Sequence, residues 1–400
     1  MDFKLIGCIL LLVGTSIGAG MLALPIAPAQ LGFVGAIIML FGCWLVMTLG
    51  AFLLLEVNLW LPQNSNLISM AKATIGPIGQ ILSWITYLLL LYSLLCAYIA
   101  GGSDLLHNLL FASGIEIPVW LANILFTLLF GLVVYLGIRS VDYVNRGLML
   151  VKMGAYILLV ILLIPFISPE KLSTGNMSYL TSTTALTVTI TSFGYATIIP
   201  SLRVYFAGNV HKLKTIIMIG SLIPLICYII WDAAIMGVIP LTGEHGLTAI
   251  LQSSSSTSDL VNTLTLLAST ESIAFFTKLF TSICVVTSFL GVALCLADFL
   301  ADGFQLEKQG GNGLFIHFAT FLPPLIITLF FPNAFIKALE YAGIYCIILL
   351  IFLPAWMAWC GRSQHQQAEG QHFKVPGGKF LLAAMMIIAA ALIGNFLLNL

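Results

Sequence analysis

Two stretches of this sequence bring hydroxyl side chains, glycines and a proline close together. Residues 14–25 read GTSIGAGMLALP, and residues 191–200 read TSFGYATIIP. Both contain Thr-Ser-x-Gly, followed by a proline six or seven residues after that glycine. Glycine costs about 1 kcal/mol relative to alanine inside a helix, and proline removes a helical hydrogen bond. Each stretch therefore predicts a broken helix whose free N–H and C=O groups can bind a solute.

Free backbone groups of both kinds suit a zwitterionic amino acid. Amides that begin a half-helix attract its carboxylate, and carbonyls that end the preceding half-helix attract its ammonium group. Glycines let such a ligand approach the backbone closely. The candidate substrate-binding residues are Thr15, Ser16, Gly18, Ala19, Gly20 and Met21 in the first stretch and Thr191, Ser192, Phe193, Gly194 and Tyr195 in the second. Two alternatives stay open: the hydroxyls bond only their own helix, or the small residues serve close helix packing.

Aromatic residues near the two stretches are candidates for a side-chain pocket. Phe193 and Tyr195 flank the second predicted break, and Tyr92 and Tyr98 lie in another apolar segment. Their rings suit an aromatic substrate through stacking or edge contacts. Because the chain contains 26 Phe, 12 Tyr and 7 Trp, most aromatic residues are expected to face lipid or to pack between helices.

Two ionisable residues lie inside apolar segments. Lys152 is about ten residues into the segment 142–167, and Asp232 lies within 215–240. A charge within a membrane is costly and indicates function by default. We therefore interpret Lys152 as the first candidate for carrying a proton and Asp232 as its rival. The alternative for Lys152 is that its long side chain snorkels toward the membrane surface.

The composition places these segments in a membrane. Of 400 residues, 60% are apolar and 8% are charged, whereas soluble domains carry about 25% charged residues. The net charge is zero, so no nucleic-acid partner is indicated. The eight cysteines show no Cys-x-x-Cys pair, and the six histidines show no metal-ligand spacing. We predict no cofactor, no metal and no obligate protein partner. We also predict no enzymatic activity, because the apolar segments hold no nucleophile–base set.

The apolar runs predict an all-helical integral membrane protein with eleven transmembrane helices. Their approximate limits are 5–29, 33–57, 78–106, 117–137, 143–167, 183–206, 215–240, 272–301, 314–331, 334–358 and 379–399. A count of ten follows if the last run does not insert. Short helices outside the spans are expected within 58–77 and around 258–268.

The two Thr-Ser-x-Gly stretches fall in spans one and six. Each repeat then contains five spans, an odd number, so the two copies have opposite topology. Paired breaks in inverted repeats mark the binding site of a transporter. We predict one transmembrane transporter domain over 1–400, with repeat one at about 1–167, repeat two at about 183–358 and an extra helix at about 379–399.

Basic residues predict the orientation of the chain. With the N-terminus in the cytoplasm and eleven spans, the C-terminus is periplasmic, and eleven of the 15 Lys and Arg residues fall on the cytoplasmic side. This arrangement satisfies the positive-inside rule. The eleven residues are Lys4, Lys72, Arg139, Arg146, Arg203, Lys212, Lys214, Lys308, Arg362, Lys374 and Lys379.

Motifs along nearly the whole chain resemble those of the hydroxy and aromatic amino acid permease family, within the amino acid/polyamine/organocation superfamily. They are GTSIGAGMLALP at 14–25, LLLEV at 53–57, TSFG at 191–194, TSFLGVAL at 287–294, DFLADGFQ at 298–305, FLPP at 321–324 and YAG at 341–343. Among its members the chain is most similar to the bacterial tyrosine-specific transport proteins. The resemblance implies a LeuT-like five-plus-five inverted repeat with one extra helix and proton-driven amino acid uptake. Aromatic permeases often have Phe-His-Gly after the Ser-Phe-Gly of span six, whereas this chain has Tyr195-Ala196-Thr197.

The resemblance also implies a role for the buried lysine. In proton-driven relatives with this repeat, a lysine in span five takes the place of a sodium ion beside span eight, and Lys152 is similar to that lysine. Thr287 and Ser288 match the hydroxyl pair that would face it. At the cytoplasmic ends of spans one and eight, Lys4 could pair with Asp302 as an inner gate, although both could also be solvated helix ends.

These observations predict a secondary active transporter of the bacterial inner membrane. We expect proton-coupled symport of an aromatic amino acid, with tyrosine as the first candidate. The alternatives are a proton-coupled permease for tryptophan or for serine and threonine, and a passive amino acid facilitator. The partners implied are the amino acid, protons and the lipid bilayer.

Overall fold

The computed structural model describes residues 3–206, 209–268, 270–331, 334–365 and 373–399. Within these ranges the chain is helical and contains no β-strand. The first half comprises α1 (Phe3–Ser16), α2 (Gly20–Ala23), α3 (Gly32–Trp60), α4 (Leu67–Thr74), α5 (Pro77–Ala112), α6 (Val119–Tyr135), α7 (Ile138–Leu163) and α8 (Pro169–Leu172). The second half comprises α9 (Thr183–Ser192), α10 (Ile199–Tyr205), α11 (Val210–Val238), α12 (Leu247–Gln252), α13 (Ser256–Ala268), α14 (Glu271–Phe304), α15 (Gly310–Phe330), α16 (Ala334–Ile347), α17 (Leu353–His365) and α18 (Gly378–Leu398).

Nine helical segments of the described chain are long and apolar enough to cross a membrane. They correspond to every predicted span except the first and the fourth. These two appear as shorter apolar helices, Lys4–Ser16 and Val119–Tyr135, below the roughly 20 residues of a typical spanning helix. The first is short because it breaks. The multi-pass prediction is confirmed, whereas the count of eleven spans stays a prediction.

Both predicted breaks are present. The first span leaves its helix after Ser16 and resumes at Gly20. The sixth leaves its helix after Ser192, passes through a 3₁₀ turn at Gly194–Ile198 and continues as α10. Pro200 lies in the first turn of α10, where its missing N–H costs no helical hydrogen bond. The glycines and prolines thus interrupt the helices where the sequence indicates.

Close backbone contacts place the broken spans in the middle of the bundle. The helix α1 packs against α11, α2 against α9, and α9 against α3 and α16. A Cβ atom on Gly343 of α16 would lie 2.3 Å from the Thr187 carbonyl oxygen of α9. Only glycine permits this approach, so the small residue fixes how closely α16 and the sixth span pack.

The start of α1 and the end of α18 lie near opposite ends of the sixth span. The Lys4 ammonium lies 5.5 Å from the ring centre of Tyr205, the last residue of α10. Asn395 of α18 and Asn399, which follows α18, donate hydrogen bonds to the Thr183 hydroxyl at the start of α9.

Candidate functional site

The two breaks are joined by one side chain. The hydroxyl of Tyr228 on α11 lies 2.6 Å from the Ser16 carbonyl oxygen and 2.8 Å from the Ser192 carbonyl oxygen. These are the last helical residues before each break. Tyr228 is fully buried, and its single proton is shared between the two acceptors. The carbonyls that the sequence assigns to an ammonium group therefore converge on one point.

The second half of the first span lies directly against the sixth span. A Cβ on Gly20 would lie 3.2 Å from the Ser192 Oγ and 3.8 Å from its Cα. Residues 16–29 are all buried. The structure therefore encloses the first break, and Ser192, Phe193, Tyr195 and Ala196 of the second break are also buried; we call this arrangement the closed conformation.

Lys152 reaches the first break from α7. Its ammonium donates a hydrogen bond to the Ile17 carbonyl oxygen over 2.6 Å and another to the Thr287 hydroxyl over 3.3 Å. The lysine is 1% exposed. Its side chain therefore points into the protein, and the snorkelling alternative is excluded. The structure brings Lys152, Thr287 and the first break together, while the proton-coupling role stays a prediction.

Ser288 on α14 supports the other side of the first break. Its hydroxyl accepts a hydrogen bond from the Ala19 amide over 2.9 Å. A Cβ on Gly18 would lie 2.3 Å from the same oxygen, so a side chain at this position would collide with Ser288. Of the predicted hydroxyl pair, Thr287 contacts the lysine and Ser288 contacts the unwound backbone.

The amides predicted to hold a carboxylate are partly occupied in this conformation. The Ala19 amide donates to Ser288, and the Met21 amide donates to the Gly18 carbonyl oxygen over 3.1 Å. The helix that these residues begin, α2, is only four residues long. Because a single turn sums few peptide dipoles, any attraction for a carboxylate here would come mainly from individual N–H groups.

The predicted hydroxyl residues bond their own helices. Thr15 and Ser16 donate to the Leu12 carbonyl oxygen, Thr191 to that of Thr187, and Ser192 to that of Val188. Thr191 also donates to the Leu339 carbonyl oxygen of α16 over 3.1 Å. The open alternative of purely local bonding therefore applies to the other three hydroxyls here, and Thr15 is exposed. Their backbone carbonyls are the groups that remain relevant, as the bonds to Tyr228 show.

The aromatic candidates divide into central and peripheral residues. The ring centres of Phe193 and Tyr228 lie 5.3 Å apart in an edge contact, and the Tyr195 hydroxyl lies 2.7 Å from the Thr48 hydroxyl of α3. Tyr98 is also buried. By contrast, Tyr92 donates to the Ala319 carbonyl oxygen of α15, away from the breaks.

The residues of the predicted inner gate do not meet in the closed conformation. Lys4 lies over the Tyr205 ring, while Asp302 lines a cavity of about 340 Å³ between α4, α5 and α14. Among the described residues no ion pair joins them. Asp298, one turn before Asp302, pairs with Lys308. The gate therefore stays a prediction for another conformation.

Two residues of the site were missed by the sequence analysis. Tyr228 bridges the breaks, and Thr48 holds the Tyr195 hydroxyl. Neither carries a local signal, since Tyr228 is one of 12 tyrosines and Thr48 lies in an uninterrupted apolar helix. Only the contact between helices reveals them.

With this geometry described, comparison with known proteins identifies the family. The model of the tryptophan/tyrosine permease family matches residues 1–395. The chain belongs to this family. The permease is 33% identical to tyrosine-specific transport system 2 of Haemophilus influenzae, over 97% of this chain and 95% of that protein. It is also 33% identical to glutamine transporter 2 of Aliivibrio fischeri, over 98% and 99%, and 30% identical to the tryptophan-specific transport protein of H. influenzae, over 96% and 93%.

A solved structure supports the fold. The crystal structure of MhsT in complex with L-phenylalanine covers 98% of each chain, with a TM-score of 0.66 and 14% identity. The predicted LeuT-like fold with broken helices one and six is therefore confirmed. The permease is a multi-pass membrane transporter and not an enzyme.

Proposed function

We propose that this permease imports an aromatic amino acid, with tyrosine as the first candidate, by proton-coupled symport across the bacterial inner membrane. The observation that carries the proposal is the convergence of the Ser16 and Ser192 carbonyls on the Tyr228 hydroxyl. A hydroxyl there satisfies two acceptors that a substrate ammonium group, with three donors, could also satisfy. The substrate would then lie between the breaks, and its ammonium group would replace the hydrogen bonds that the Tyr228 hydroxyl makes in the closed conformation.

Relatives and surrounding rings support an aromatic substrate. Proteins named for tyrosine and tryptophan transport match almost the entire chain, and the MhsT structure contains L-phenylalanine. Phe193 and Tyr195 lie at the second break, and both are buried. Aromatic side chains prefer edge or offset contacts with such rings.

A second candidate substrate is glutamine. The glutamine transporter of A. fischeri shares the same 33% identity with this chain as the tyrosine transporter. In this chain, Tyr195 holds its hydroxyl against Thr48, so a buried polar pair is available to an amide side chain. The two candidates differ in the size and polarity of the side chain that the pocket admits.

Proton coupling is proposed from Lys152. A buried ammonium that bonds the Ile17 carbonyl can hold the first break while protonated and release it on deprotonation. Coupling of this kind requires a proton to bind two conformations with different affinity. The orientation proposed from the basic residues places the N-terminus in the cytoplasm and the C-terminus in the periplasm.

Uptake by the purified protein in proteoliposomes tests the proposal. Labelled tyrosine, tryptophan, phenylalanine, glutamine, serine and threonine are supplied with an inward proton gradient, with a sodium gradient alone, and with neither. We expect tyrosine to accumulate above equilibrium only with the proton gradient. Accumulation restricted to glutamine would replace the substrate assignment, and sodium-driven accumulation would replace the coupling ion.

Two further experiments test the transport mechanism and the position of the side-chain pocket. Counterflow of preloaded tyrosine is expected for a carrier, and its absence would favour a passive facilitator with a continuous pore. Tyr195→Ala should change the ranking of substrates in the panel. Tyr92→Ala is the matched control, because the Tyr92 hydroxyl bonds α15. An unchanged ranking with Tyr195→Ala would place the pocket elsewhere.

A further inference from the structure

Asp232 on α11 differs from the other buried acids of the described chain. It is fully buried, and neither carboxylate oxygen has a hydrogen-bond partner. Among the described residues, the two other buried acids and the half-buried Asp104 all receive donors. Glu56 receives them from Arg362, Asp104 from Ser258, and Glu340 from Thr184 and Lys337. The exception therefore requires its own explanation.

An ionised carboxylate without a donor is not stable in such a place. Transfer of an unpaired charge into an apolar interior costs so much free energy that the group takes up a proton instead. We propose that Asp232 is a proton-binding site that is occupied in the closed conformation, so that closing the permease takes up one proton at its carboxylate. This inference rests on the proposed transport cycle, and it adds a proton site distinct from Lys152.

No cation compensates Asp232 among the described side chains. The elements packed against α11 are α1, α3, α7, α8, α13 and the uncharged 3₁₀ turn at Ile164–Phe166, and α14 reaches it through the contact of Phe280 with Trp231. Tyr156 on α7 packs against Trp231, the neighbour of Asp232, and it donates its own proton to the Cys227 carbonyl oxygen. Near neutral pH the phenol of a tyrosine carries no charge.

None of the described charged side chains of these elements forms an ion pair or a hydrogen bond with Asp232. Lys152 bonds Ile17 and Thr287, and Lys171 bonds the Val238 carbonyl oxygen at the end of α11. Arg139, Asp142 and Arg146 lie in the first three turns of α7, toward the opposite end from Tyr156. Four of the remaining charged side chains contact other groups: Lys4 lies over Tyr205, Glu56 binds Arg362, Asp259 binds Ser253, and Asp298 pairs with Lys308. Glu170 and Glu271 are exposed. Lys278 lies near the start of α14, and Asp302 lines the 340 Å³ cavity.

The position of Asp232 connects its protonation with the breaks. Asp232 follows Tyr228 by four residues, so the two side chains lie on one face of α11, one turn apart. Trp231 beside it packs against Phe280 and Tyr156, with ring centres 5.2 and 6.4 Å apart. Water can reach the carboxylate only if α11 separates from these neighbours. Opening then hydrates Asp232 and lets its proton leave.

This arrangement fixes the sign of the pH effect. The closed conformation binds the proton more tightly than an open, hydrated one. Closing therefore becomes less favourable as the pH rises above the value at which the hydrated carboxyl ionises. For one linked proton the closed population, and a rate limited by closing, falls by at most about tenfold per pH unit.

Proton counting in proteoliposomes tests this inference with Asp232→Asn, an uncharged side chain of nearly the same shape as a protonated Asp. We expect the variant to retain tyrosine counterflow, to carry one proton fewer per substrate, and to vary less steeply in uptake rate with pH than the unaltered protein, with the remaining dependence due to Lys152. Asp104→Asn is the matched control, because Asp104 already has donors. An unchanged pH profile and proton count in Asp232→Asn would overturn the inference. Failure of tyrosine transport in the unaltered protein would instead overturn the proposed function.

Infrared spectroscopy gives a readout that does not depend on transport. The carbonyl stretch of a protonated carboxyl should be present in the unaltered protein at neutral pH, absent from Asp232→Asn and retained in Asp104→Asn. Lack of this band in the unaltered protein would show that Asp232 is ionised and would sink the inference, even if the variant proved too unstable to reconstitute.

Discussion

The Lys152 ammonium donates a 2.6 Å hydrogen bond to the carbonyl oxygen of Ile17, the first residue beyond the helical part of span one. A helix break frees this carbonyl, and the lysine from α7 satisfies it. The same ammonium reaches Thr287 on α14. One buried charge thus joins three spans at the point where the backbone is free to move.

Replacing Lys152 with Ala should separate substrate exchange from proton-driven accumulation. The charge that responds to protons is lost, while the backbone groups proposed to bind the amino acid remain. We expect counterflow to continue at a reduced rate and accumulation driven by a pH gradient to fall, leaving at most the part that a proton on Asp232 drives. A difference of one pKa unit between two states corresponds to about 1.4 kcal/mol of coupling. Such a difference is a tenfold ratio between the proton affinities of the two states.

Lys171→Ala is the control for this variant. Lys171 also donates to a backbone carbonyl, that of Val238, but at the end of α11 rather than at a break. The variant Lys171→Ala should retain proton-driven accumulation. Proton-driven accumulation that is undiminished in Lys152→Ala would transfer the coupling role away from the lysine.

Gly18→Ala should abolish uptake while leaving membrane insertion intact. Its Cβ would lie 2.3 Å from the Ser288 Oγ, and forced contacts of this kind cost about 1–3 kcal/mol. The displaced backbone would also lose the bond from the Ala19 amide to Ser288. Initial uptake rates and the amount of protein in the membrane fraction measure the two effects separately.

A second substitution checks the cause. With Ser288→Ala added, the nearest remaining atom is the residue-288 Cβ at 3.6 Å, an ordinary contact, so part of the uptake should return. Gly291→Ala on the same helix has open space around it and should transport normally. If the double variant is as inactive as Gly18→Ala, the collision with Ser288 is not the reason.

Tyr228→Phe should lower the melting temperature of the substrate-free protein and increase the stabilisation that substrate provides. The variant leaves the Ser16 and Ser192 carbonyls without their shared donor, at a cost of about 1–3 kcal/mol for a buried unsatisfied group. A bound ammonium group could replace the missing donor. The measurement is the thermal shift in detergent with and without tyrosine.

Tyr156→Phe is the matched comparison for Tyr228→Phe. Tyr156 also donates to a backbone carbonyl of α11, that of Cys227, but away from the breaks. Tyr156→Phe should lower the melting temperature of the substrate-free protein, but the thermal shift on adding tyrosine should be no larger than in the unaltered protein. An equal or smaller shift in Tyr228→Phe than in the unaltered protein would contradict an ammonium site at these carbonyls.

Arg362→Ala should destabilise the fold through Glu56. The carboxylate of Glu56 is 1% exposed and is bound by two nitrogens of Arg362, each over 2.8 Å, and by the Val375 amide. Removing one partner of such a pair costs about 3–5 kcal/mol, because a charge remains buried. Glu56→Gln in the same background should recover part of the loss in melting temperature.

The exposed pair of Lys308 and Asp298 provides the reference. Both side chains are more than one third exposed, and such pairs contribute about 1 kcal/mol or less. Lys308→Ala should therefore change the melting temperature little. Equal effects of Arg362→Ala and Lys308→Ala would show that burial of Glu56 does not govern the stability of this pair.

The sequence by itself determined where the helices break and which residue is buried at high cost. Three glycines within residues 14–20 and the prolines at 25 and 200 act through the local backbone, since a missing Cβ or N–H affects the same turn in any surroundings. The breaks after Ser16 and Ser192 therefore appear where the pattern predicts. The place of Lys152 in an apolar run made its burial the first expectation, and the structure excluded the snorkelling alternative.

Only the tertiary structure decided which groups satisfy the freed backbone. Tyr228 is 212 residues from Ser16 in the chain, and Ser288 is 269 residues from Ala19. Such partners depend on the relative positions of α11, α14 and the broken spans, which no local pattern encodes. The same packing turned the hydroxyls of Thr15, Ser16 and Ser192 to their own helices, placed Lys4 away from Asp302, and left Asp232 without a donor. A helix break is a property of a few consecutive residues, whereas a hydrogen bond across a bundle is a property of how all the helices pack.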